Sequence, residues 1–319
     1  MSKLLEKSIS YKPFHYEWCM HIAEEHEKGH WIHQEVDLSG DVKDWHSNLD
    51  DGEKNQFHLI IKSFTQADAQ VGENYIDNLL PIFKNNEVRN MLLSFAAREG
   101  IHQRAYAAIV ETLNLPDSDF EEFLQYEEMK SKIDFWKDGN DTRSNSGKGL
   151  AVAKNIFAEG VSLFGSFTML LNFQRNGKML GTNEINRFSI LEEHTHCDSL
   201  IRLFREFCND YPKIVNDVFK KSIYDYARIT YQLESNFIDL AYSKGYAKGL
   251  TKTEVKEYIK YLIDRRLISM GLKGIFEVKI NPLPWIDELL GTPVHENFFE
   301  CSVTEYTKGG MIDSWNNAW

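Results

Sequence analysis

The sequence predicts an all-α fold, built as one large helical bundle. Glycine and proline are sparse, at 19 and 7 of 319 residues. Apolar residues recur mostly at intervals of three and four, the period of a half-buried helix. Apolar residues make up 42% and aromatics 13% of the chain, enough to build a sizeable core, which excludes a disordered chain. At roughly 100–200 residues per domain, the length fits one large domain or two ordinary ones. No internal repeat divides it.

The elements follow in order. Residues 53–80 read as a long apolar-striped helix that Pro81 ends. Asn85-Asn86 caps the next helix, over about 87–114, which Leu115-Pro116 closes. Ser118 with Glu121 reads as a capping box for a helix over about 119–136. The polar stretch KDGNDTRSNSGKG (137–149) reads as a surface loop. Its GKG lacks the GxxxxGK[ST] spacing of a phosphate cradle. Further helices are expected at about 150–176, 184–209, 213–243 and 252–270, the last capped by Thr251-Lys252-Thr253-Glu254. Residues 300–319 are polar and weakly patterned, with isolated aromatics at Tyr306, Trp315 and Trp319, and read as a flexible tail after a helical domain over 1–299.

Composition narrows the function. The net charge of −12 and a pI near 5.4 argue against a general nucleic-acid binder, which needs a basic face. Four widely spaced cysteines with no CxxC fit a reducing compartment, without a disulfide framework or thiolate zinc site. The N-terminal MSKLLEKSISYK has no apolar core of a signal peptide, and no window reaches 18 uninterrupted apolar residues. A soluble, cytoplasmic chain with no membrane partner is the expectation.

The informative feature is acid on apolar stripes. Glu-x-x-His occurs three times, where random placement gives roughly one. Glu27…His30 lies in the charged EEHEKGHW and reads as solvated surface. Glu99…His102 shares its face with Leu92, Phe95, Tyr106 and Val110, and Glu193…His196 shares one with Ile190 and Leu200. Asp68 follows Ile61 and Phe64 and precedes Val71 and Tyr75; Glu159 follows Ile156 and precedes Leu163 and Phe167. An acid facing a core is costly unless paired or metal-bound. Four of them on four helices, two with His at i+3, call for shared cations. Their four negative charges balance two divalent ions, and the two neutral imidazoles complete the shell. Such an oxygen-rich set suits iron or manganese better than zinc or copper. The pattern resembles that of ferritin-like dimetal bundles. Tyr106, two turns after Glu99, sits where an oxidised centre could draw an electron and a proton from its phenol.

With those residues in order, the chain resembles the small, radical-generating subunit of class I ribonucleotide reductase. The match runs over about 31–310 through Asp68, REGIHQRAY (98–106), FAEGVSLFGSF (157–167), EEHTH (192–196) and NPLPWI (281–286). The resemblance implies a ferritin-like bundle with additional helices. It implies metal on Asp68, Glu99, His102, Glu159, Glu193 and His196, and a stable radical on Tyr106. It further implies electron transfer through Trp31, with Glu192 linking that indole to a metal-bound His, and a relay tyrosine at Tyr306. The tail ending at Trp319 would dock on the large subunit, where ribonucleotides are reduced to deoxyribonucleotides. A homodimer is implied, and the need for a flavodoxin-like activase as a further partner is left open. Allosteric control is expected in the large subunit, because the chain starts too early for an added ATP-binding cone. Two departures stand out: Glu192 replaces the usual Asp, and Leu163 and Ser189 stand where Phe and Ile often surround the radical, which leaves a less dry pocket. The alternatives are a ligand-binding dimetal oxidase on the same scaffold, ferritin-like iron storage, and a non-catalytic helical scaffold.

Overall fold

The computed structural model describes residues 3–116, 118–139 and 141–291. The named elements among them are all helical, apart from one isolated bridge between Ser243 and Gly245. In chain order they are α1 (Glu17–Lys28), α2 (Ser39–Lys43), α3 (Asp51–Asn74), α4 (Asn86–Thr112), α5 (Asp119–Glu122) and α6 (Glu127–Lys137). Then come α7 (Asn145–Phe157), α8 (Phe164–Arg175), α9 (Leu180–Asp210), α10 (Asp217–Ala241), α11 (Lys252–Ser269) and α12 (Trp285–Leu290).

The long helices start where side chains satisfy their free N–H groups. Asp50 and Glu53 form a reciprocal capping box at α3, with bonds of 2.8 and 3.0 Å, and Thr251 with Glu254 does the same at α11. Asn85 caps α4 by accepting from the Val88 N–H at 3.1 Å. The start of α9 is capped from a distance: the Asp41 carboxylate of α2 accepts from the N–H groups of Gly181 and Thr182, at 3.0 and 2.6 Å. That pins the register of the helix carrying Glu193 and His196.

Packing then builds the bundle. α3 lies along α4, α4 also packs on α1, and α9 packs on both α7 and α8. α10 and α11 close the far side against α7 and α8. Gly72 of α3 lets the first pair approach closely, since a Cβ there would stand 3.3 Å from Glu99 Cβ. The apolar stretch Asn145–Arg175, which carries α7, a π turn and α8, is long and apolar enough to cross a bilayer, yet its most apolar window is buried inside the bundle and serves as core.

Several expected boundaries are corrected. The 119–136 helix breaks at Tyr126, whose φ/ψ of −99/113° is extended, and Ser118 makes no side-chain cap bond. The 137–149 loop is shorter than expected, because α7 begins at Asn145, where Ser144 accepts from the Gly147 N–H at 3.0 Å. The glycines that read as loop punctuation are packing sites: a Cβ on Gly149 would stand 3.0 Å from the Phe219 ring. The single 150–176 helix is interrupted by a π-helical turn, Ala158–Ser162. A second π turn, Tyr75–Leu79, extends α3. α1 was not anticipated; Glu27 and His30 are exposed on or beside it, as expected, but His26 is buried. Tyr306 and the 300–319 tail lie outside the described residues.

Candidate metal centre

The six side chains singled out as ligands converge in the core. Asp68 comes from α3, Glu99 and His102 from α4, Glu159 from the π turn between α7 and α8, and Glu193 and His196 from α9. Asp68 is 1% exposed and the other five 0%. The i, i+3 spacing lets α4 and α9 each aim an acid and an imidazole inward. The π turn matters because its extra residue per turn re-aims a side chain locally, and such turns recur at functional sites.

The donor atoms fall into two overlapping sets, Glu99–Glu159–Glu193–His196 and Asp68–Glu99–His102, and within each set all atoms lie within 4.8 Å of one another. His102 Nδ1 stands 3.4 Å from Glu99 Oε2 and 3.3 Å from Glu193 Oε1. His196 Nδ1 stands 3.2 Å from Glu99 Oε1, 3.4 Å from Glu193 Oε2 and 3.6 Å from Glu159 Oε2. Glu99 and Glu193 therefore face both imidazoles, whereas Asp68 belongs only to the set with His102 and Glu159 only to the set with His196. Both oxygens of Glu99, Glu159 and Glu193, Asp68 Oδ2 and both Nδ1 atoms are buried without a hydrogen-bond partner. Buried polar atoms are almost always satisfied. A concentration of orphans pointing at one another fits a dinuclear metal site, with the donor set of hard cations plus two imidazoles.

The electrostatics agree. Burial, reinforced by the neighbouring acids, pushes Asp68 well above the carboxylate range and Glu159 to about 8. Burial opposes a charge on His102 and His196, but the carboxylates crowded around each imidazole outweigh it and raise both. Without cations, the cluster keeps protons in the space that cations would neutralise.

Behind the ligands lies a second arrangement. Glu192 Oε2 accepts from His102 Nε2 at 2.8 Å, and its Oε1 accepts from Trp31 Nε1 at 3.1 Å. Trp31 is 1% exposed and stacks on His102, with ring centroids 6.0 Å apart. Tyr106, 0% exposed, donates its phenol hydrogen to Ser189 Oγ at 3.3 Å and stacks on Phe64 at 4.6 Å. Burial, then Asp68, holds its phenol far above the ordinary range, so it stays protonated. Leu163 is buried at the start of α8.

The family model described as ribonucleotide reductase, small chain, matches residues 8–282. The chain belongs to this family. Over 98% of its length the small chain is 39% identical to a probable ribonucleoside-diphosphate reductase small subunit of Invertebrate iridescent virus 3, of which the match covers 88%. Its fold is similar to a ribonucleotide reductase R2 subunit from Clostridium botulinum, with a TM-score of 0.80 and 25% identity over 86% of this chain and 88% of that one. It is also similar in fold to the dimanganese(II)-NrdF of Streptococcus sanguinis, with a TM-score of 0.72 and 21% identity over 86% and 96% of the two chains. The small chain is thus an oxidoreductase subunit built as a ferritin-like helical bundle.

Sequence reasoning missed three residues of the small chain's site. Arg98 pairs its Nε with Glu192 Oε1 at 3.0 Å. Tyr75, read only as apolar stripe, is a buried phenol set edge-on to His196, with centroids 6.1 Å apart. His26 touches His196 directly, Nε2 to Nε2 at 3.2 Å. The available signal for His26 was the series Cys19, Ala23, His26, which steps by four and three along α1 and is buried throughout.

Proposed function

We propose that Asp68, Glu99, His102, Glu159, Glu193 and His196 hold two cations per chain, iron or manganese, and that Tyr106 beside them stores a radical. The radical passes through Trp31 and the tail residue Tyr306 to the large subunit, where it starts the reduction of ribonucleoside diphosphates to deoxyribonucleotides. The observation that carries this reading is the set of mutually facing, unsatisfied donor atoms with a phenol and an indole buried against them. The diphosphate substrate follows the names of the curated relatives. Manganese is favoured by the Streptococcus sanguinis neighbour and iron by the same hard donor set, so both stand.

When bound, a pair of such ions supplies the one-electron oxidising power drawn from an oxygen-derived oxidant. The chain's residues do the rest. Tyr106 would give up an electron and its phenolic proton; the hydrogen bond to Ser189 Oγ orients the phenol, and the Asp68 carboxylate, whose charge acts on that phenol, is a base that can take the proton. Phe64 stacks on the phenol and Phe167 packs in turn on Phe64, which keeps the pocket largely apolar. Glu192 holds the Trp31 N–H and the His102 N–H on one carboxylate, so an electron leaving the indole can be matched by a proton moving to Glu192.

The hydrogen-bonded line from Trp31 through Glu192 to His102 supports radical generation over the ligand-binding oxidase, which needs no such electron path.

The same reading carries a homodimer, a tail over 300–319 that docks on the large subunit, and a cytoplasmic location. A flavodoxin-like activase belongs to its manganese version. The test is Tyr106→Phe after metal loading and exposure to oxidant. The variant keeps its metal and loses the tyrosyl absorption and EPR signal. An unchanged signal moves the radical elsewhere.

A further inference from the structure

The two imidazoles of the centre are supported from behind by chemically different groups. His102 Nε2 meets the Glu192 carboxylate at 2.8 Å, whereas His196 Nε2 meets a third imidazole, His26, at 3.2 Å. His26 belongs to α1, outside the ligand helices, and is 7% exposed. Both ligand imidazoles turn Nδ1 toward the carboxylates. A neutral imidazole that ligates through Nδ1 carries its proton on Nε2. The His196 Nε2–H therefore needs an acceptor, and His26 Nε2 is in reach.

That requirement fixes the rest of the line. With Nε2 accepting, neutral His26 carries its proton on Nδ1 and donates to Ser94 Oγ at 3.3 Å. The Ser94 hydroxyl in turn donates to the Met91 carbonyl oxygen at 2.9 Å. Each donor in the sequence finds one acceptor. Ring packing holds the geometry: His26 lies edge-on to His196 and to Phe95, with centroids at 5.0 and 5.2 Å. Arg98 seats the helix by donating from Nη2 to the His26 carbonyl oxygen at 2.7 Å.

We infer that His26 is a positioning residue for the metal centre: a neutral acceptor that fixes the tautomer and aim of His196. Partners behind a ligand imidazole set its orientation and its donor strength, and an anionic partner strengthens it more than a neutral one. His102, backed by a carboxylate, is the stronger donor, and His196, backed by His26, the weaker. The two cation positions are therefore unequal, and the one served by His196 is the more loosely held. This rests on the dimetal reading above.

The test titrates the metal-free full chain with Mn(II) under anaerobic conditions and counts free Mn(II) by EPR. Wild type binds two ions in two distinguishable steps. His26→Leu, which removes the acceptor, weakens one step by about 10–100-fold and leaves the other nearly unchanged. His26→Gln, whose amide oxygen can accept the same bond, recovers most of that loss. Ser94→Ala, at a half-buried position that tolerates change, weakens the same step by about threefold, the effect of one neutral hydrogen bond. Two bound ions in wild type with unchanged binding in all three variants would overturn the role of His26 and leave the site standing. Equal weakening of both steps without rescue by Gln would reduce His26 to a packing residue and also overturn it. No Mn(II) binding by wild type would overturn the dimetal reading and this inference together.

Discussion

Lys132 and Glu234 form a buried ion pair behind the turn that carries Glu159, and its titration can be worked through. Lys132 Nζ stands 2.7 Å from Glu234 Oε1 and donates at 2.9 Å to the Ser162 carbonyl, the end of the π turn. Burial raises Glu234 from 4.5 to about 7, against the pull of Lys132. The folded protein thus holds this proton more tightly than the unfolded chain. Below pH 4.5 both states are protonated and the group is neutral for stability. As pH rises toward 7, the unfolded chain ionises first and the folded state loses ground. Above the folded value both are ionised and the loss is complete, at about 3 kcal/mol. Glu234→Gln removes the titration. The stability difference between variant and wild type should therefore move by about 3 kcal/mol in the variant's favour from about pH 4.5 to about pH 8. Urea unfolding of both proteins in the same metal state measures it, because the titration of the ligand cluster cancels in the difference. A difference that stays constant within about 1 kcal/mol across that range would refute the reasoning.

Three further outcomes are expected. Gly160→Ala drives a Cβ against Cys197 Sγ and to 2.7 Å from Arg266 Nε beside Glu159, so it should cost about 1–3 kcal/mol and lower the bound metal; thermal unfolding with metal analysis checks both. Glu192→Gln offers one acceptor oxygen where the carboxylate serves both Trp31 and His102; Mn(II) titration should show one binding step about 10–100-fold weaker, and an unaltered isotherm would count against the link. Deleting residues 307–319 should leave the tyrosyl EPR signal intact and abolish turnover with the large subunit, whereas full turnover would place docking elsewhere.

The convergence of the six candidate side chains was legible because buried acids violate an apolar stripe, and that violation survives any error in helix boundaries. Asp68 among Ile61, Phe64, Val71 and Tyr75 is visible without coordinates, and each of those neighbours is indeed buried. Long helices were legible where caps are local, as at Asn85 and Thr251. What escaped depends on tertiary packing. The π turn at Ala158–Ser162 lies in a stretch buried on all sides, where no polar face reports the phase of the helix. Gly147 and Gly149 look like loop residues until Phe219 is seen packed against the second of them. His26 was masked by its charged neighbours: Glu24, Glu25, Glu27 and Lys28 are all exposed, and only one residue of EEHEKGH turns fully inward. Arg98 was hidden for the opposite reason, since its acceptors, Glu192 and the His26 carbonyl, are remote in sequence.

The proposed chemistry requires two cations held by six side chains. The most direct measurement is the metal content of the reconstituted chain, counted by element alongside Glu99→Ala, which removes the carboxylate common to both donor sets. Two ions of iron or manganese per wild-type chain, and a loss of metal in the variant, are the predicted result. A wild-type chain that retains no metal, or a variant that keeps its full complement, would contradict it.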